Sequence, residues 1–359
     1  MYRHSRAVLA SAAVCGVLAF AQVAPPANSG PRLRAPSLAE RTAILGALNA
    51  LTEAANRRDA AAVQAVTASG FYAFGESWLF GRNGYPRFAE RRDDLTGVQI
   101  ATLTREVTLL TDDVAQTGGF FRTLHMPGAE LAGDFHCTLI RLESKWLVAS
   151  VRFAPSRFDP PYRFFAQAHR SSRPVGEWIT LFNGTSLDAF SSMDGSPASR
   201  EVWSMEEGSI LRLTPKPGKG QGLRTRDTFR SFELEWEWKL GPAGNSGLKY
   251  RNYYLTGADA GGHEYQMVDN EGDPGAKRNP LERAGALYEQ IAASKDASRP
   301  IGEFNQSRVI VNGRHAEHWL NGEKVVEYDF NSDPFDSPIL IQYHGQSAWF
   351  RNIRIRRLD

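Results

Sequence analysis

The run His263-Glu264-Tyr265-Gln266-Met267-Val268-Asp269-Asn270 packs an imidazole, two carboxylates and two amides into eight residues. Its alternation has the period of a β-strand, placing Glu264 and Gln266 on one face and His263, Tyr265 and Met267 on the other. A carboxylate can take up or return a proton, and amides can orient hydroxyl groups. Both are costly to bury without partners, so such a strand tends to line a wet groove. Taken alone, the octet favours an exposed edge strand.

Further reactive types are spread over neighbouring runs. In Phe232-Glu233-Leu234-Glu235-Trp236-Glu237-Trp238 the aromatic and aliphatic residues share one strand face, and Glu233, Glu235 and Glu237 share the other. Three carboxylates in a row must be solvated or neutralised by Arg, Lys or a metal ion. Asn245 sits in a Gly244–Gly247 turn, Arg251 ends the strand after it, and Gln342 shares a face with His344. Arg351 has the parity of Ile353 and Ile355, which suits a cap on a core strand as well as a ligand-binding group.

These runs belong to a half built from short strands. After residue 175 the chain reads as strands at 201–205, 209–213, 230–240, 246–253, 263–269, 308–312, 315–320, 323–328, 338–343 and 349–357. Asn321-Gly322 between two of them is a strong hairpin signal. Many short strands without a long helix predict a jelly-roll β-sandwich, with 279–305 as its one long connection.

This half resembles the 3-keto-disaccharide hydrolase domain family, secreted bacterial domains with a concanavalin-like, laminin-G-like sandwich. The resemblance is carried by Leu181-Phe182-Asn183-Gly184, Phe232-Glu233-Leu234, Asn245-Ser246-Gly247, Glu264-Tyr265-Gln266, Asp269-Asn270 and Gly285-Ala286-Leu287-Tyr288. It continues through Gly302-Glu303-Phe304-Asn305, His318-Trp319-Leu320-Asn321-Gly322, His344-Gly345 and Phe350-Arg351-Asn352-Ile353. Phe304 replaces a usual tryptophan, and Ala189-Phe190 a usual Gly-Trp.

The resemblance implies cleavage of glycosides already oxidised at C3. A C3 ketone acidifies the C2 proton. The enolate left by its removal expels the C1 substituent, and hydration completes net hydrolysis. On this reading Glu264, His344 and Glu237 are the catalytic candidates, with Glu264 or His344 as base or acid. Arg251 or Arg351 would hold the enolate or sugar oxygens, and Asn245, Gln266 and Asp269 would bind hydroxyls. Alternatively, Glu237, Glu264 and His344 could share a divalent metal ion as cofactor, acting as Lewis acid. The rival class is a non-catalytic carbohydrate-binding module on the same sandwich. The charged, amide-rich strands favour catalysis.

The first half reads differently. Ser37 with Glu40 forms a capping box before Ile44, Leu45, Leu48 and Leu51 at helical spacing, and Asp59 caps a second short helix. Strands follow at 103–110, 114–125, 133–142 and 145–153, which predicts an α+β domain. It resembles the SnoaL-like, nuclear transport factor 2-like family over 38–154, through residues 47–59 and the run Lys145–Val151. That implies a cone-shaped fold with scaffolding or homodimer-forming use. Tyr72, Trp78, His125, Asp134 and His136 are its pocket candidates, and a separate enzyme on a small hydrophobic substrate is a third reading.

The expected organisation is therefore a signal peptide (1–21), a disordered leader (22–36), the α+β domain (37–154), a Pro-rich linker (155–175) and the sandwich (176–359). Arg3, His4 and Arg6 precede a largely apolar run at 7–20, and Ala19-Phe20-Ala21 places cleavage after Ala21 and the protein outside the cytoplasm, in the periplasm or secreted. The apolar run is too short for a membrane span. Cleavage removes Cys15 and leaves Cys137 as a lone buried thiol. Net charge is +2, which excludes a field strong enough to gather nucleic acid. Six of the eight tryptophans follow residue 175, which suits a carbohydrate-facing β domain and the carbohydrate partner implied above.

Overall fold

The computed structural model describes residues 33–74, 97–125, 131–155, 169–216, 221–255 and 260–359. The signal sequence, Cys15, Trp78, leader residues 22–32 and linker residues 156–168 lie outside the described residues.

Helix α1 (Leu38–Arg57) starts at the expected capping box: Ser37 accepts from the Glu40 amide while the Glu40 carboxylate accepts from the Ser37 amide. It stops where Arg58 turns left-handed at φ 57. Asp59 caps α2 (Ala60–Val66). Ile44, Leu48, Leu51 and Ala54, spaced three or four apart, form the buried face of α1. They pack on a sheet of β1 (Thr67–Phe74), β2 (Gln99–Thr111), β3 (Val114–Leu124), β4 (Ala132–Leu142) and β5 (Lys145–Pro155). Its order is β1-β5-β4-β3-β2, antiparallel except where β1 joins β5. This is the predicted α+β arrangement. Cys137 lies buried in it, and burial pushes its thiol pKa up. The apolar interior leaves a void of ≈ 40 Å³ among the described residues, room for a water or two and not for a substrate. Order begins earlier than expected: Arg34 exchanges backbone hydrogen bonds with Leu109 and pairs with Glu40 and Asp112.

The second half is a two-sheet sandwich. Among the described residues the larger sheet runs β18 (Glu323–Asp329), β17 (His315–Leu320), β16 (Asn305–Asn312), β13 (Phe232–Leu240), β20 (Ala348–Arg357), β10 (Ile210–Leu213) and β9 (Trp203–Glu206). β7 (Trp178–Phe182) also pairs with β20. The smaller sheet runs β15 (Ala260–Val268), β14 (Asn245–Leu255), β19 (Leu340–Ile341), β11 (Leu223–Thr225) and β8 (Phe190–Ser192). A short pair, β6 (His169–Arg170) with β12 (Asp227–Thr228), joins the end of the Pro-rich stretch to the sandwich. Asn321 and Gly322 make the predicted hairpin between β17 and β18, both at positive φ.

Parity decides what fills the core. Phe232, Leu234, Trp236 and Trp238 point inward from β13, and Tyr265 and Met267 point inward from β15. Trp236 meets Tyr265 edge-on at 4.9 Å, and its ring N–H donates to the Met267 sulfur at 3.2 Å. The alternate residues of the two strands therefore face outward on opposite sides of the sandwich. The expected 279–305 connection is not structureless. It follows α3 (Pro274–Arg278), opens with a 3-10 turn (Pro280–Glu282), and residues 285–288 then run beside β15. No helix among the described residues is long and apolar enough to cross a membrane.

The two halves interlock. The Asn331 amide donates to Asn49 Oδ1 and Thr102 Oγ1, each at 3.0 Å, and the Tyr253 hydroxyl donates to the Thr102 carbonyl at 3.1 Å. Leu33–Asp359 accordingly pack as one unit.

His318 is fully buried, with Nε2 2.7 Å from the Tyr250 hydroxyl and Nδ1 2.9 Å from the Gly285 carbonyl. Burial lowers its pKa to about 4, whereas an unfolded histidine titrates near ~6.5. Between these values the unfolded chain binds the extra proton. Stability is thus fully present above pH ~6.5 and is lost as pH falls toward 4, by about 3 kcal/mol from this group. Urea midpoints measured from pH 7.5 to 4.5 should fall across that window. A flat profile would show that His318 does not lose its proton on burial.

Candidate active site

β15 is buried along its whole length, and Glu264 is only 4% exposed. The exposed edge strand is thereby excluded. Glu264 lies opposite Lys249 in the β14–β15 register, with Lys249 Nζ 3.7 Å from Glu264 Oε2 and both side chains buried. Two charges removed from water this far need further hydrogen bonds to hold them. They have them: Gln342 Nε2 donates to Glu264 Oε2 at 3.0 Å, and Lys249 Nζ donates to the Ala260 carbonyl at 3.0 Å. Gln266, with its amide nitrogen toward the Ser246 carbonyl (3.0 Å), also donates to Glu264 Oε1 at 3.2 Å.

The chain of bonds continues outward. His344 Nε2 lies 2.9 Å from Gln342 Oε1, and His344 is exposed. An ionised carboxylate only accepts, so Glu264 turns the Gln342 NH2 toward itself and the Gln342 oxygen toward His344. That oxygen needs a donor, which assigns the proton to His344 Nε2. The lone pair of the neutral ring is then on Nδ1. The arrangement presents a basic nitrogen at the surface, with its tautomer set from inside.

Gly247 makes room for this cluster. It lies between Gln266 and Gln342 in the sheet, and a Cβ there would be 2.2 Å from Gln342 Oε1 and 2.6 Å from Glu264 Oε1. Asn245 stands at the rim, its amide 3.5 Å from that of Gln266.

Other predicted site residues lie elsewhere. Glu237 faces outward from the opposite sheet, bound by Arg351 at 2.7 Å and by the Asn352 amide at 2.7 Å. The aromatic core separates it from Glu264 and His344, so these three cannot share a cation. The three carboxylates of β13 are neutralised by arginines: Glu233 by Arg356, Glu235 by Arg354, Glu237 by Arg351. A bulge at Asn352 (φ 53) puts Arg351 outward while Phe350 and Ile353 stay inside, and Phe304 stacks on its guanidinium at 4.0 Å. Arg251, at φ 47, is buried between Phe330 and Phe335 and donates to the Ser332 and Asp333 carbonyls. It holds the 330–335 segment and does not reach Glu264. Asp269 accepts from the amides of Ala243, Glu271 and Gly272, bracing a turn.

Among the described residues the side chains within metal-ligand reach of one another are His315, Glu317 and Glu327. His315 pairs with Asp329 and Lys324 with Glu327, so this cluster balances its own charge. The pocket candidates of the first half do not converge. Tyr72 is exposed, His125 faces Asp333, Asp134 accepts from Tyr254, and His136 lines a shallow depression of ≈ 600 Å³ with Gln116, Thr138 and Arg152.

Lys249 and Gln342 were not among the sequence-predicted site residues. Gln342 carries a signal, since it shares strand parity with His344. Lys249 becomes visible only when β14 and β15 are paired in register.

The family model of the 3-keto-alpha-glucoside-1,2-lyase-like domain matches residues 177–356. The chain belongs to that family. A 3-keto-disaccharide hydrolase of Bacteroides thetaiotaomicron is 28% identical over 229 aligned residues, covering 51% of this chain and 79% of the relative. A candidate glycosyl hydrolase of known structure from Parabacteroides distasonis is 27% identical, covers 51% of this chain and all of its own, and superposes with a TM-score of 0.43. For the first half, an NTF-2 like protein of Shewanella oneidensis is 18% identical, covering 30% of this chain and 93% of its own, with a TM-score of 0.25. The matched span of the 3-keto-alpha-glucoside-1,2-lyase-like domain contains every residue of the Glu264–Gln342–His344 chain.

Proposed function

We propose that this protein is an exported enzyme that cleaves the glycosidic bond of 3-keto-glycosides, disaccharides included. Family membership supports a hydrolase or lyase acting on keto-sugars. The observation that carries the reaction is the outward path from buried Glu264 through Gln342 to His344. His344 Nδ1 takes the proton from C2, which the C3 ketone has acidified, and the C–H electrons form the enolate. When the ketone re-forms, a C1–C2 double bond appears and the C1–O bond breaks. The departing oxygen takes up a proton, and water then adds across C1–C2 to give net hydrolysis. Glu264, sealed behind Gln342, acts as a positioning residue and does not touch the sugar. Asn245 stands beside it as a hydroxyl-binding group, whereas Gln266, fully buried with its amide nitrogen on Glu264 and the Ser246 carbonyl, braces the carboxylate. No pair of facing carboxylates of the ordinary glycosidase kind is required.

The test is aglycone release from a chromogenic 3-keto-glucoside and from its unoxidised parent, by purified residues 22–359. Release from the keto form alone is expected. Release unchanged by a chelator supports the histidine base over a metal Lewis acid. Sugar binding without release from either compound would make the protein a binding module.

A further inference from the structure

Residues 285–288 extend the smaller sheet beyond β15. Gln266 donates to the Ala286 carbonyl, and the Tyr288 amide donates to the Glu264 carbonyl at 3.0 Å. Leu287 bridges Tyr265 and turns inward with it, so Tyr288 shares the outer face with Glu264, directly across from it. Tyr288 is half-buried, and among the described residues its hydroxyl has no hydrogen-bonding partner. Its O–H stays protonated, because burial and the charges of Glu289, Glu282 and Glu264 all raise its pKa.

The turn that carries Tyr288 is gripped by the first half of the chain. Its tip, Glu289, holds a left-handed backbone at φ 58. Arg41 Nε donates to the Glu289 carbonyl at 2.8 Å, and Arg41 Nη2 to the Arg105 carbonyl at 2.9 Å. Arg105 Nε pairs with the Glu289 carboxylate at 3.2 Å, and the Gln290 amide donates to the Thr104 carbonyl. The Arg105 guanidinium also lies over the Tyr288 ring, 5.3 Å from its centre. Arg41 is buried; the strained tip is therefore held by groups with little freedom to move.

We propose that Tyr288 is a substrate-contacting residue of the Glu264–His344 site, donating its hydroxyl hydrogen bond to a sugar oxygen, and that Arg105 of the first half is its positioning residue. This rests on the keto-glycoside reading above. The nuclear transport factor 2-like half then serves the reaction directly, as the part that fixes one wall of the sugar site.

The experiment uses the full mature chain and its Tyr288→Phe, Arg105→Ala and Arg105→Lys variants. It measures kcat and KM on the chromogenic 3-keto-glucoside per folded molecule, and calorimetric binding of the same sugar. Tyr288→Phe should lower kcat/KM about tenfold, the effect of one lost hydrogen bond. Arg105→Ala should lower it similarly, and Arg105→Lys should recover part of the loss. Wild-type kcat and KM in both Tyr288→Phe and Arg105→Ala, with only the melting temperature lowered, would overturn the proposal and leave the clamp structural. If the wild type releases no aglycone, the functional reading falls separately and binding decides: unweakened binding by Tyr288→Phe overturns the wall. No binding by the wild type overturns both.

Discussion

His344→Ala should lower kcat on a 3-keto-glycoside by roughly 10²–10⁴, the range for removing a general base. Unfolding and sugar binding should change little, because the imidazole itself is exposed and its hydrogen bond to Gln342 is the outermost of the chain. Glu264→Gln should lower kcat in the same direction for a different reason. An amide in place of the carboxylate no longer dictates which way Gln342 points, so His344 loses its fixed tautomer. It also removes the countercharge of buried Lys249, and a broken buried pair costs about 3–5 kcal/mol. The two variants thus separate by stability: only Glu264→Gln should unfold at lower denaturant concentration. Undiminished kcat in His344→Ala would take the imidazole out of the reaction.

Gly247→Ala is expected to be nearly as damaging to turnover, although it adds one methyl group. The new Cβ would sit 2.2 Å from Gln342 Oε1 and 2.6 Å from Glu264 Oε1, closer than any real contact, so both side chains must move. A misplacement of about 1 Å at a reacting centre costs on the order of 10²-fold. The backbone needs no glycine here, since Gly247 is not at positive φ, so the effect would come from space alone. Gly241→Ala, where an added Cβ meets nothing within 4 Å, is the matched control and should retain activity. Full activity in Gly247→Ala would mean that the Glu264–Gln342 contact is not needed for turnover.

The site was partly legible before folding. Alternation put Glu264 and Gln266 on one face and Tyr265 and Met267 on the other, and the strand keeps that division. Gln342 and His344 share a face as their spacing predicted, and one bonds the other. Arg351 was misread because parity was counted straight through Asn352, where a bulge resets it. Arg251, at the end of its expected strand, was a candidate to hold the enolate or sugar oxygens. A left-handed backbone instead drives it between two phenylalanines.

The sequence by itself determined the two halves, the capping box at Ser37, the Asn321-Gly322 hairpin and the inward aromatic stripe of β13. Each depends on neighbours within a few residues, where propensity and parity act directly. Only the tertiary structure decided which outward-facing acids meet. Glu237 and Glu264 carry the same local signal, yet one is neutralised by Arg351 on β20 and the other is buried with Lys249 and Gln342 on the opposite side of the core. Those partners come from strands distant in sequence. Register, bulges and sheet order set such pairings, and no local pattern encodes them.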